Sequence, residues 1–109
     1  MFPDYKRSIL SVTASVAAFF GAKTPYPPLE EIADALNEKD TKNVVLLLFD
    51  GMGENLLKRH LPEDAFLRKH DFGPISTVYP STTTAATTSL WTGIAPGEHA
   101  WLGWSLYFK

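Results

Sequence analysis

Residues 44–49 read VVLLLF, six consecutive apolar residues between Asn43 and the dipeptide Asp50-Gly51. An apolar run of this length, bounded by turn residues, predicts a strand that is buried on both faces. Such strands belong to parallel sheets that are covered by helices. A second strand is predicted over residues 75–79, where Pro80 ends it. The sequence therefore predicts an α/β fold with a parallel sheet.

The segment between the two predicted strands carries helical signals. A helix is predicted to start at Met52, and Pro62 opens a further short helix. Strand, helical crossover and strand form a βαβ unit, which is right-handed in nearly all proteins. Residues 44–49 and 75–79 are therefore predicted to be parallel neighbours in one sheet.

The first 42 residues form a predicted helical lead-in. A helix is expected from about Tyr5 to Gly21, followed by a proline-rich connector and a second amphipathic helix that starts near Leu29. Basic residues ahead of an apolar stretch are also typical of a signal peptide, but the helical periodicity favours a core helix. The residues that define its expected buried stripe are Ile9, Val12, Val16 and Phe19.

Composition excludes several classes of protein. The chain has 109 residues, a net charge of −2 and no cysteine, so it offers no thiolate metal site and no Cys nucleophile. Its charge gives no sign of a nucleic-acid-binding surface, and no apolar run is long enough for a membrane span. A cytoplasmic location is expected, with secretion or a periplasmic location left open.

Asp50 is the first candidate for chemistry. It directly follows the predicted buried strand, and ligands of open parallel sheets bind at the carboxyl ends of the strands. A carboxylate on a turn loosened by Gly51 and Gly53 could hold a divalent metal ion. The alternative is an Asp-Gly turn that only ends the strand.

The second candidate is the hydroxyl-rich stretch from Ser81 to Gly93. It could be a low-complexity linker, but it has no interior Gly or Pro, and its apolar residues have helical spacing. A Ser/Thr cluster before a helix is a normal N-cap, and a helix N-terminus is also a ready phosphate site. A threonine hydroxyl there becomes a good nucleophile when a metal lowers its pKa.

Three sequence blocks together resemble the type I phosphodiesterases and nucleotide pyrophosphatases of the alkaline phosphatase superfamily. The blocks are VLLLFDGMG at residues 45–53, YPSTT at 79–83 and LWTGIAPGEH at 90–99. The resemblance runs from Asn43 to about Trp104. It implies an alkaline-phosphatase-like fold, of which residues 1–109 would be the N-terminal part of the catalytic domain and residues 43–109 the metal and nucleophile half.

The resemblance also implies roles for single residues. Asp50 matches a metal-ligand aspartate, and Thr83 matches the nucleophilic threonine that also contacts a metal; Thr82 and Thr84 remain alternatives on chemistry alone. The family often has Asn three residues after the nucleophile, where this chain has Ala86. Its usual His-Gly is His99-Ala100 here, and His99 is expected to fix a turn. Two divalent metal ions, expected to be zinc, are implied for the full-length protein.

The implied function is metal-dependent hydrolysis of phosphodiester or pyrophosphate bonds through a phosphothreonine intermediate. The expected partners are a small phosphate ester as substrate and the remainder of the catalytic domain, and the isolated chain is expected to be inactive. A metal-dependent phosphomutase of the same superfamily and a non-catalytic piece that packs against a partner chain are the alternatives. Trp91, Trp101 and Trp104 are expected in the core rather than as base-stacking platforms.

Overall fold

A computed structural model of the chain describes residues 3–38 and 40–107. It divides into two compact units, one made of the residues up to Val44 together with those from Ile75 onwards, and the other of Val45–Pro74. Six helices are formed in the described ranges, and none of them is long and apolar enough to cross a membrane. The predicted division at residues 42 and 43 stays a prediction.

The first helix, α1, spans Ile9–Phe19 and starts later than predicted. Ser8 has extended backbone, and its hydroxyl accepts the N–H of Leu10 at 3.2 Å. The Ser11 hydroxyl in turn accepts the N–H of Ser8 at 3.4 Å. This reciprocal capping at Ser8 satisfies N–H groups that a helix end leaves without partners, and it fixes the first residue of α1 at Ile9.

The predicted buried stripe of α1 was wrong. Its four members are only half-buried, whereas the buried face consists of two apolar and two serine side chains. The serines can be buried because they are hydrogen-bonded: the Ser15 hydroxyl donates to the Ser11 carbonyl at 2.7 Å and accepts the N–H of Leu29 at 2.8 Å. The helical periodicity considers only apolar residues, so it gives no information about the hydrogen bonds that allow these serines to be buried. The buried residues of α1 are Leu10, Ser11, Ala14 and Ser15.

The second helix, α2, spans Glu30–Asn37 and packs against α1. Its first turn carries Glu30 and Glu31, which suit the positive end of the helix dipole. Glu31 also forms an ion pair with Arg7, just ahead of α1. This unit therefore begins with two packed helices, as the sequence predicts.

Two more helices complete the larger unit. In chain order α5 spans Thr83–Thr92 and packs against α1, and α6 spans Pro96–His99. Gly93 ends α5 in the left-handed region at φ 72°, and the Thr13 hydroxyl of α1 donates to the Leu90 carbonyl near the same end. The small core contains Leu10, Val78 and Ala95, with Tyr5, Ile9, Tyr26 and Ala86 packed against it.

The smaller unit contains two short helices, α3 over Glu54–His60 and α4 over Phe66–Lys69. Gly53 is the N-cap of α3, and the Arg68 guanidinium donates to the Leu61 carbonyl at 3.1 Å. Lys58 and Glu54 form an ion pair along α3. Both helices lie where the sequence predicts helical segments.

The predicted parallel sheet does not form among the described residues. Residues 44–49 have no regular secondary structure there, and residues 75–79 contribute a single parallel bridge, from Ser76 to Ser8. A strand exists only when a neighbouring backbone pairs with it, and a strand that is apolar on both faces also needs a covering layer on each side. Within residues 3–38 and 40–107, residues 44–49 have neither a paired strand nor a covering layer, and the side chain of Val45 is 80% exposed.

The predicted burial of the three tryptophans was also wrong. Trp91, Trp101 and Trp104 are 68%, 43% and 78% exposed. A local sequence pattern does not determine whether a large side chain is buried, because burial depends on how the rest of the fold packs. The sequence of residues 104–109 also predicts a strand, but no strand forms over residues 104–107, and residues 108 and 109 lie outside the described ranges.

Candidate functional site

Thr83 is the first residue of α5. Thr82 is the N-cap, with extended backbone at φ −87° and ψ 150°, and its hydroxyl accepts the N–H of Ala85 at 3.3 Å. Its carbonyl accepts the N–H of Ala86 at 2.9 Å. The two oxygens of Thr82 therefore hold the first turn of the helix, with Thr83 half-buried at its start.

The hydroxyl groups along α5 differ in what they contact. The hydroxyls of Thr87, Thr88 and Thr92 each donate to a carbonyl four residues earlier, at 2.8, 2.8 and 2.7 Å. Thr82 and Thr84 lie with their hydroxyl oxygens 3.3 Å apart. Of the six threonines from 82 to 92, Thr83 alone has a hydroxyl that bonds to no described group.

Backbone donors lie beside that hydroxyl. A helix leaves its first four N–H groups without intrahelical partners, and here the Thr82 hydroxyl accepts that of Ala85. The N–H groups of Thr83 and Thr84 donate to nothing in the described part of the chain. The start of α5 thus combines an unengaged hydroxyl with two unengaged N–H groups at the positive end of a helix dipole.

Asp50 lies in the other unit, in a turn that follows residues 44–49. Gly51 takes φ +68°, a left-handed conformation that suits glycine, and the Asp50 side chain is exposed. Its carboxylate makes no hydrogen bond to any described residue. The predicted turn is therefore present, and the predicted role as a metal ligand stays a prediction.

The metal ligands available in the described ranges do not make a complete site. No group of three or more His, Asp or Glu side chains that could hold a metal ion occurs among these residues. A catalytic divalent metal normally needs at least three protein ligands. Asp50 and Thr83 can each supply an oxygen atom, but further ligands are needed.

Ala86 and His99 occupy the two other positions that the resemblance singles out. Ala86 is half-buried and packs against the core around Leu10, so it presents no donor at the start of α5. His99 Nδ1 accepts the N–H of Trp101 at 3.0 Å, and its Nε2 lies 2.9 Å from the Ser89 hydroxyl. With both ring nitrogens engaged, His99 ties the turn after α6 to α5, as a structural histidine is expected to do.

Sequence reasoning missed a hydrogen-bond network around the Glu98 carboxylate. It joins α6 to Tyr26, which lies in the proline-rich connector before α2. Glu98 Oε2 accepts the Tyr26 hydroxyl and the N–H of Ala95, each at 2.7 Å. The N–H of Ala95 and the Tyr26 hydroxyl stabilise the charged form, so the pKa of Glu98 is lowered. Burial, the hydrogen bond to Glu98 and the charge of Glu98 raise the pKa of Tyr26 to about 12. These partners are 72 residues apart in the chain, so no local motif could reveal them.

Comparisons with known proteins show which family the chain belongs to. The model of the type I phosphodiesterase / nucleotide pyrophosphatase family matches residues 44–108, more than half of the chain. Neither the comparison with curated proteins nor that with solved structures gave a match. The matched residues include Asp50, the whole of α5 and the turn around His99. The chain therefore belongs to the type I phosphodiesterase / nucleotide pyrophosphatase family.

Proposed function

We propose that this chain carries the nucleophile half of a metal-dependent hydrolase that cleaves phosphodiester or pyrophosphate bonds through a phosphothreonine at Thr83. Membership of the family supports hydrolysis of such bonds in general. The threonine intermediate and the metal dependence are the further steps of the proposal, as is a fold in which residues 44–49 form a strand of an alkaline-phosphatase-like sheet. A cytoplasmic location stays a prediction.

The observation that carries the proposal is the unengaged hydroxyl of Thr83 at the start of α5. Thr82 and Thr84 have hydroxyls that already lie against each other, 3.3 Å apart. A hydroxyl that bonds to no described group is free to contact a metal ion and an incoming phosphate. Among the three consecutive threonines, this condition favours Thr83.

The proposed reaction has two steps. Thr83 Oγ1 attacks phosphorus in line, the bond from phosphorus to the leaving oxygen breaks, and the hydroxyl proton passes to the departing oxygen. The phosphothreonine keeps the substituent of the substrate that has not left. Water then attacks its phosphorus, the bond from phosphorus to Thr83 Oγ1 breaks, a proton of the water returns to Thr83 Oγ1, and the phosphate product is released with that substituent. The N–H groups of Thr83 and Thr84 would donate to the non-bridging phosphate oxygens, which gain charge during the reaction.

The proposal assigns two divalent ions, expected to be zinc, to the full-length protein. Asp50 would be a ligand of one ion and Thr83 would also contact a metal, with the remaining ligands supplied by other residues of the protein. A bound divalent cation lowers the pKa of a hydroxyl that it contacts and offsets negative charge on the phosphate. The substrate is a small phosphate ester.

Ala86 bears on specificity. With a methyl group packed against the core at this position, the phosphate oxygens lose the side-chain amide that the family often supplies there. The backbone N–H groups of Thr83 and Thr84 are then the donors that this part of the chain offers. We therefore expect a substrate range that differs from the usual nucleotide diesters.

Substitution of Thr83 tests the proposed nucleophile. In the metal-loaded full-length protein, Thr83→Ala should lower turnover of a phosphodiester by about 10⁴-fold or more, because the attacking oxygen is gone. Thr83→Ser should keep part of the activity, since a hydroxyl remains. Mass spectrometry of acid-quenched enzyme should find the phosphate on Thr83. Normal turnover by Thr83→Ala, or phosphate trapped on Thr82 or Thr84, would show that the assignment is wrong.

A further inference from the structure

We propose that Thr82 is a positioning residue that fixes the first turn of α5 and thereby orients the Thr83 hydroxyl; this rests on the proposed function. Thr82 directly precedes Thr83, and both are half-buried. The role assigned to Thr82 is to hold the backbone on which the nucleophile is mounted. Thr82 itself does not react.

The hydrogen bonds of Thr82 carry this assignment. Its hydroxyl accepts the N–H of Ala85 at 3.3 Å and its carbonyl accepts the N–H of Ala86 at 2.9 Å. Both bonds span Thr83 and close the first turn of α5. The N–H groups of Thr83 and Thr84 are not among the donors that Thr82 accepts, and as the first N–H groups of a helix they stay available.

The hydroxyl of Thr82 also has a second neighbour. Its oxygen lies 3.3 Å from the Thr84 hydroxyl oxygen, and one of the two can donate to the other. This contact occupies the only other threonine hydroxyl on the first turn. Three identical side chains in a row therefore have different roles: one caps the helix, one lies against the cap, and one is left to react.

Loss of the N-cap should lower the catalytic rate because it displaces the Thr83 hydroxyl. Replacing an N-cap threonine by alanine frays the first turn, and a displacement of about 1 Å at a reacting atom lowers a rate by about 100-fold. The expected signature is a fall in kcat that exceeds any rise in KM, because the hydroxyl is still present but is held less well. A general loss of stability would not produce this division in a protein that remains folded.

The experiment compares substitutions in the metal-loaded full-length protein, each confirmed as folded by circular dichroism at the assay temperature. Thr82→Ala should lower kcat about 10- to 100-fold, whereas Thr82→Ser and Thr82→Asn, which keep a capping oxygen, should restore most of it. Thr88→Ala is the matched control, since it removes a hydroxyl bond of 2.8 Å from the same helix without touching the cap. Its kcat should stay within about twofold of the wild type.

A second measurement, which needs neither metal nor substrate, reports directly on the first turn of α5. In the 109-residue chain, amide hydrogen exchange at Ala85 and Ala86 should be about fivefold faster in Thr82→Ala and unchanged in Thr82→Ser and Thr88→Ala. Wild-type kcat in Thr82→Ala, an equal loss in Thr88→Ala, or a failure of Thr82→Ser to restore activity would overturn the role of Thr82. Full activity of Thr83→Ala would instead overturn the proposed function, whatever Thr82 does.

Discussion

Thr83 and Thr87 lie one helical turn apart on α5, yet only one of their hydroxyls is engaged. Thr87 donates to the Thr83 carbonyl at 2.8 Å, the usual way in which a threonine inside a helix satisfies its hydroxyl. Thr83 has no such carbonyl, because the residue four positions earlier, Tyr79, precedes the helix. Its place at the first helical position is therefore what leaves its hydroxyl available.

At the residue scale, the proposed role of Asp50 as a metal ligand can be tested by substitution. In the complete catalytic domain that we propose, Asp50→Asn should lower metal affinity and turnover together, each by about tenfold or more, because a neutral amide compensates less of the charge of a divalent ion. Metal content by atomic emission and turnover at fixed metal concentration measure the two effects. Asp64→Asn, at another exposed aspartate of the same unit, is the control and should change neither. Unchanged metal content in Asp50→Asn would leave Asp50 as a turn residue only.

At the scale of elements, the contact between α1 and α5 depends on a close approach at the end of α5. Thr13 donates to the Leu90 carbonyl, and a Cβ added at Gly93 would lie 3.3 Å from Thr13 Cγ2. Gly93 also has φ +72°, which costs an L-residue about 1–2 kcal/mol. One glycine therefore both ends α5 and allows α1 to pack beside it.

Gly93→Ala should lower the free energy of unfolding by about 1–2 kcal/mol, from left-handed strain and the contact with Thr13. Urea unfolding followed by circular dichroism measures this change. Gly97→Ala is the matched control, since nothing lies within 4 Å of an added Cβ there and φ is not positive. It should change the free energy of unfolding by no more than about 0.5 kcal/mol. Equal effects of the two substitutions would show that the conformation assigned to Gly93 is wrong.

At the scale of the whole molecule, residues 45–49 combine apolar side chains with backbone that no described residue pairs. Leu47 is 71% exposed, and its neighbours in this segment are exposed as well. Extended apolar backbone with unpaired hydrogen-bonding groups is a template for pairing with another strand. The same segment would be covered on both faces if it forms the predicted strand of a parallel sheet.

Leu47→Lys separates these two environments. In the 109-residue chain it should reduce concentration-dependent self-association, measured by sedimentation velocity, and change the free energy of unfolding by less than about 0.5 kcal/mol. In the complete catalytic domain that we propose, the same substitution should lower the free energy of unfolding by about 3 kcal/mol or more if the segment is a buried strand, because an unpaired charge would be buried. A neutral effect in that domain would contradict the predicted sheet.

The sequence by itself determined the features that depend on neighbouring residues. The end of α5 at Gly93, the turn at Asp50 and the two helices between them follow from signals within a few positions of each boundary. The family also follows from the sequence, because the family model matches residues 44–108. Such signals act within one helical turn, so they need no information about the rest of the fold.

Only the tertiary structure decided which side chains are buried and which polar groups are engaged. The exposure of the tryptophans, the bond from the Leu29 N–H to Ser15 and the bond from Tyr26 to Glu98 all depend on parts of the chain distant in sequence. The pairing of residues 44–49 is of the same kind, since an apolar run predicts burial without supplying the strands and helices that would bury it. The choice of Thr83 among three threonines belongs here too: the sequence offers three hydroxyls, and the geometry of the first helical turn leaves one of them unengaged.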